Sequence, residues 1–182
     1  MNKIYTRNGD DGFTGLLGRG RIPKYDLRPE VLGTLDEASA VLGVARSTCK
    51  SDQLIPLVLE IQKDLYHMMA EVSAAGDNAE KFRVIDHNKV NWIEERIDEL
   101  SQQVSLPKGF ILPGDTLSGA FFSLSRAVIR RAERLVARLV HDEKLSNKEI
   151  LRYLNRLSSM CFIFEIVENN AGGKSDMRLA KE

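Results

Sequence analysis

With two cysteines, three histidines and one tryptophan among 182 residues, the chain holds little material for metal clusters or disulfide frameworks. Cys49 and Cys161 have no metal-ligand spacing, and His67, His87 and His141 are too scattered to propose a metal site. Cys161 sits among Met160, Phe162 and Phe164 and reads as a small core residue. Net charge is also missing. Lys plus Arg and Asp plus Glu number 26 each, so no global field draws nucleic acid or an acidic membrane. Any anion site must therefore come from a local basic cluster. No apolar run is long enough to cross a bilayer. Polar Thr6-Arg7-Asn8-Gly9-Asp10 follows the first residues too soon for a signal peptide, so the chain is expected to be cytoplasmic with reduced thiols. What remains is an ordinary globular composition, 43% hydrophobic and 29% charged, long enough for one domain with a substantial core.

The first 28 residues differ from the rest. Gly9, Gly12, Gly15, Gly18 and Gly20 crowd together with Arg7, Arg19, Arg21 and Lys24. That stretch has too little periodicity for a helix and too many glycines for a strand, so it is expected to be an ordered loop. From Pro29 onward apolar residues recur at helical spacing. The pattern predicts helices over 29–48, 52–74, 87–104, 115–141 and 146–170, the last opening with the capping-box pattern Ser146-Asn147-Lys148-Glu149. Pro107 and Pro113 bracket a loop, and residues 171–182 read as a loose tail. Five long helices with short links predict an all-α five-helix bundle behind an N-terminal glycine-rich loop.

The fourth helix carries the densest charge. Phe121, Leu124, Val128, Ala132, Leu135 and Leu139 fall on one stripe, with Arg126, Arg130, Glu133 and Arg134 opposite. That face is either merely solvated or an arginine comb for polyphosphate. The i, i+4 succession Arg126, Arg130, Arg134 is mildly repulsive, and an external anion would relieve it. The N-terminal glycines either let backbone N–H groups approach an anion or form a flexible arm. Asp36, at the edge of the first helix's apolar face, is a surface acid or half of an ion pair. Asn155 is a satisfied core amide or a ligand contact.

Together, and in this order, several segments resemble the PduO-type ATP:corrinoid adenosyltransferase family. They are the loop from Thr6 to Asp26, Gly33-Thr34-Leu35-Asp36-Glu37, Leu112-Pro113-Gly114, Arg126 to Arg134, and Asn155-Arg156-Leu157-Ser158. The resemblance spans nearly the whole chain. It implies a homotrimer with sites between subunits, binding ATP with Mg2+ and a corrinoid. It implies transfer of the 5′-deoxyadenosyl group of ATP to the cobalt of cob(I)alamin, giving adenosylcobalamin and triphosphate. By the same resemblance Thr6, Arg7, Gly9, Asp10 and Gly12 wrap the triphosphate, supported by Lys24. Arg130, Glu133 and Asn155 lie at the nucleotide and its Mg2+, Asp36 and Arg126 form an intersubunit ion pair beside the corrin, and Phe110 stands against the corrin's lower face. A cob(II)alamin reductase and an adenosylcobalamin-dependent enzyme are the further partners it implies.

The sequence departs from the family pattern at several points. Arg7 replaces a lysine, Phe13 and Gly15 replace hydroxyl residues, and Asp115 replaces a glycine. Ser123 stands where histidine is common, Ser159 where the family has Asp, and Ile166 where it has Arg. Ser159 and Ile166 motivate an alternative: a non-catalytic ATP or adenosylcobalamin carrier or sensor on the same fold. A third reading, a helical interaction module with a solvated charged face, predicts no ligand binding.

Overall fold

The computed structural model describes residues 4–74, 76–142, 144–174 and 177–181. Most of its helices begin where a short polar side chain closes the first turn. The Asp26 carboxylate accepts from the Arg28 N–H at 3.0 Å and starts α1 (Leu27–Thr48), leaving Pro29 in the first turn, where its missing N–H costs nothing. Helix α2 (Leu54–Ser73) has no such cap. Asp86 caps α3 (His87–Ser101) through the Lys89 N–H at 3.0 Å, and Thr116 caps α4 (Leu117–His141) through the Gly119 N–H at 3.1 Å. Helix α5 (Lys148–Ala171) is capped by Asn147, not Ser146. The Asn147 amide also donates to Glu71 at 3.0 Å and to the Ile85 carbonyl at 2.9 Å, while the Ser146 hydroxyl accepts from Arg83. Tertiary partners thus choose between two adjacent capping residues. A 3-10 turn, Gly76–Phe82, follows α2.

Helix α4 lies between α1 and α5, with α2 against α1 and α3 against α5. Leu35, Ala38, Leu42 and Ala45 of α1 are fully buried, as expected from their spacing, but Val31 takes the buried place expected of Leu32, which is half-buried. The buried stripe of α4 is rotated from the expected one: Phe122, Val128, Ile129, Ala132, Val136 and Leu139 are buried, and Leu124 is 48% exposed. A helix packed on two neighbours has a wide apolar arc, within which 3.6-residue spacing does not choose a centre. The second half of α5 is buried on nearly every side, from Met160 to Asn169. Burying each large aliphatic side chain contributes about 2 kcal/mol against chain entropy.

Two buried acids knit the helices. The Asp64 carboxylate accepts from the Tyr153 hydroxyl at 2.8 Å and pairs with Lys89 at 2.7 Å. Glu168, fully buried on α5, accepts from the Ser118 hydroxyl at 2.7 Å, the Lys50 and Ser51 N–H groups at 2.6 and 3.2 Å, and the Cys49 thiol at 2.9 Å. Burial pushes its carboxyl up, but these hydrogen bonds outweigh burial and hold it below the usual range.

The N-terminal segment, expected to be an ordered loop, contains a small antiparallel hairpin, β1 (Phe13–Gly15) with β2 (Arg21–Pro23). The glycines serve its turns, with Gly12 at φ 82°. The hairpin is stitched to the bundle where the Leu17 N–H donates to the Ser73 carbonyl at 2.8 Å. The tail, expected to be loose, pairs over 178–180. The Leu112 N–H donates to the Arg178 carbonyl and the Ala180 N–H to the Phe110 carbonyl, both at 2.8 Å. Among the described residues no helix is long and apolar enough to cross a membrane.

Candidate functional site

The residues singled out in the sequence gather in four places. The first is a cleft of about 510 Å³ between α4 and α5, lined by Arg130, Glu133, Arg134, Arg152, Asn155 and Arg156 with Ala137 and Leu151. Arg130 and Glu133 come from one face of α4 because they lie one turn apart. Glu133 does not pair with Arg130 as a solvated-face reading expects. It accepts from the Asn155 amide at 2.8 Å, and the Asn155 carbonyl accepts from Arg156 at 2.9 Å. Arg156 is in turn held by Glu94 of α3 at 2.8 Å. This relay orients Glu133 and Asn155 and leaves four guanidinium groups around one cleft, an arrangement suited to an anion with several oxygens.

The second place is the hairpin, where Thr6, Gly9 and Lys24 line a hollow of about 440 Å³ with Asn8, Phe13, Thr14, Gly15 and Arg21. Arg21 fastens it, donating to Asp11 at 2.7 and 2.9 Å and to the Asn8 carbonyl at 2.5 Å. That hydrogen bond from Arg21 holds the Asp11 carboxyl below its usual range. The Lys24 ammonium lies so close to Gly9 that a Cβ there would sit 2.8 Å from it. A side chain at position 9 would push the flexible end of Lys24 aside. Arg7, Asp10 and Gly12 shape the turn: Arg7 adopts φ 64°, and the Asp10 and Gly12 N–H groups donate to the Arg7 and Gly9 carbonyls at 3.2 Å. Those two N–H groups are therefore spent within the loop, and of the two cations lining the hollow Arg21 is held by Asp11, which leaves Lys24 to meet an anion there.

The third place is a cavity of about 350 Å³ that brings Phe110 and Arg126 together with Gly109, Ile111, Pro113, Ser123, Phe162 and Glu165. Phe110 is 71% exposed at its mouth. The paired tail presents Leu179 to Gly109, within 3.5 Å of where a Cβ would stand. Glu165 went unnoticed in the sequence, although a lone acid inside Phe162-Ile163-Phe164-Glu165-Ile166-Val167 is itself a signal. Only 2% of it is exposed. Burial pushes its carboxyl up to about 7, with Ser123 and the Arg126 charge pulling it down and Asp115 adding to the rise. The fourth place holds Asp36, on an open face with Leu17, Leu32, Gly33, Tyr66, Met69 and Ser73. Asp36 and Arg126 line separate cavities of the chain.

A family model described as cobalamin adenosyltransferase matches residues 4–168. The chain belongs to that family. It is 34% identical to the corrinoid adenosyltransferase of Bacillus subtilis over 179 residues, 96% of this chain and 91% of that one. It is 33% identical to a corrinoid adenosyltransferase of Citrobacter freundii over 92% of this chain and 96% of that one. Its fold matches a variant of the PduO-type ATP:corrinoid adenosyltransferase from Lactobacillus reuteri, complexed with cobalamin and ATP, with a TM-score of 0.90 and 31% identity. That match covers 98% of this chain and 97% of the other.

Within this adenosyltransferase fold the departures fall unevenly. Ser159 is exposed, whereas Ile166 is fully buried in the core, where an arginine would need a partner. Ser123 lines the Phe110 cavity, and Asp115 holds the tail by accepting from the Arg178 N–H at 3.2 Å. Ser123 therefore lies in the third cavity and Asp115 close enough to act on its Glu165, whereas none of the departures lines the arginine cleft.

Proposed function

We propose that this adenosyltransferase moves the 5′-deoxyadenosyl group of ATP to the cobalt of cob(I)alamin, with triphosphate as the leaving group. The observation that carries the reading is the Glu94–Arg156–Asn155–Glu133 relay, which leaves Arg130 and Arg134 facing a cleft of polyphosphate character. Arg152 and Arg156 are paired with Glu149 and Glu94, which leaves the charges of Arg130 and Arg134, one turn apart, repelling each other, and a triphosphate relieves that repulsion. Arg130, with Lys24 of the hairpin, offsets the charge that develops on the departing phosphate.

Glu133, a hard oxygen donor already turned into the cleft, fits Mg2+ carried by phosphate oxygens. When bound, the ion adds positive charge at those oxygens. Cob(I)alamin is itself a strong nucleophile, so no side chain need act as general base. The protein's task is alignment of cobalt with C5′. Phe110, exposed at the mouth of the third cavity, suits the lower face of a corrin, where an apolar ring excludes water and the axial base. Loss of axial ligation eases reduction of cob(II)alamin.

Asp36 and Arg126 on separate faces fit a site completed by a second copy of the chain, and a homotrimer with Asp36 of one subunit against Arg126 of the next meets that need. Both cysteines are free thiols, which suits a reducing cytoplasmic setting.

The deciding experiment is an anaerobic assay with ATP, Mg2+ and chemically reduced cob(I)alamin, following the corrinoid spectrum. Conversion to adenosylcobalamin that vanishes in Arg130→Ala is the expected result. Tight ATP and corrinoid binding without conversion would replace this reading with a carrier or sensor.

A further inference from the structure

We propose that Glu165 is a specificity-determining residue of the Phe110 cavity, favouring corrinoids whose peripheral arms are uncharged carboxamides over those bearing carboxylates. The inference rests on the reading of that cavity as the corrinoid face. Arg126 by itself would do the opposite, since its half-buried guanidinium attracts any carboxylate arm with a forked pair of hydrogen bonds. Glu165 lines the same 350 Å³ cavity and sets a carboxyl group beside it. With Glu165 ionised, the two charges cancel and leave one donor fork next to one acceptor. A carboxamide matches both, because it carries an acceptor oxygen and a donor NH2, whereas a carboxylate offers acceptors only. The carboxylate would satisfy Arg126 and face a like charge at close range in a poorly solvated cavity.

The surroundings add to the effect. The charged groups acting on Glu165 are Arg126 of α4 and Asp115 ahead of α4, whose side chain is nearly buried beside Arg178. On its own helix, Cys161 is a buried thiol with its pKa pushed far up by burial, so it brings no charge. Phe110 and Phe162 complete the lining with apolar surface. Arg126 is thus the one cation among the cavity's lining residues, and Glu165 opposes it.

The test titrates the ATP-loaded protein with cob(II)alamin and with its monocarboxylic acids, each having one carboxamide hydrolysed, and follows the corrinoid spectrum. At pH 8 the parent should bind at least about tenfold more tightly than at least one monoacid. Glu165→Gln should bring that ratio towards one while changing parent binding by less than about threefold. An unchanged ratio in Glu165→Gln would overturn the proposal, and so would equal weakening of every corrinoid, the mark of a residue that merely props up Arg126. The wild-type chain gives an independent reading. Its ratio should fall as pH is lowered from 8 to 6 and Glu165 takes up a proton, and a flat ratio overturns the proposal without any variant. Wild-type protein that binds ATP but no corrinoid would remove the parent reading and this one together.

Discussion

The arginine cleft and the Phe110 cavity lie on the same two helices but are built by opposite means. The cleft takes all of its lining from α4 and α5, and its acceptors are held by a relay of hydrogen bonds running back to Glu94. The cavity draws on α4, α5 and the 109–113 loop, which is itself fastened by the tail at Arg178 and Ala180. A site on two rigid helices has a geometry set before the ligand arrives. One leaning on a loop and a strap owes its shape to weaker contacts. The cleft should therefore govern the chemical step and the cavity should govern which corrinoid enters, and how tightly.

The largest effect expected from breaking this division is in the cleft. Arg130→Ala should lower kcat by about 100-fold or more through lost charge stabilisation, with the thermal midpoint almost unmoved because the side chain is exposed. A midpoint drop matching the activity loss would instead make Arg130 structural. Phe110→Ala should reduce turnover from cob(II)alamin by about tenfold or more yet spare turnover from pre-formed cob(I)alamin, since the ring's role is to keep the axial base away. Equal loss from both oxidation states would count against that role. Leu179→Asp, which loosens the strap, should raise KM for corrinoid by about threefold to tenfold and leave KM for ATP alone. A shift in the ATP value would show that the two sites are not separable.

The smallest effect is on stability. The folded carboxyl of Glu165 is raised from 4.5 to about 7, so between those values the native state holds more protons than the unfolded chain. Stability should fall as pH rises through that window. In Glu165→Gln that fall should be lost, which calorimetry at pH 5 and pH 8 would register as a flatter midpoint.

The same division explains what the sequence disclosed. Arg130 and Glu133 are legible because helical spacing alone puts them on one face. Asn155 is visible as a polar residue on an apolar helix, but its hydrogen bond to Glu133 is a tertiary fact. Phe110 is just an aromatic between two prolines, and only the family resemblance gave it a place. Glu165 and Glu168 left a trace, acids set in an apolar run, yet the trace does not say whether the partner is a cavity or a knot of N–H donors. The hairpin was hidden for a different reason. Glycine abundance argues against a strand, while the clamp from Arg21 to Asp11 that makes the turns affordable joins residues ten apart.

The knot around Glu168 has one more consequence, for the thiol that belongs to it. Burial, together with the hydrogen bond to Glu168 and its negative charge, pushes Cys49 up to about 12, so almost none of it is thiolate at neutral pH. An alkylating reagent reacts with thiolate, and it should meet one here only when the turn between α1 and α2 lifts away from α5. Cys49 is in that sense a clock already wired to a joint of the bundle. The pace at which it is labelled counts how often that joint opens.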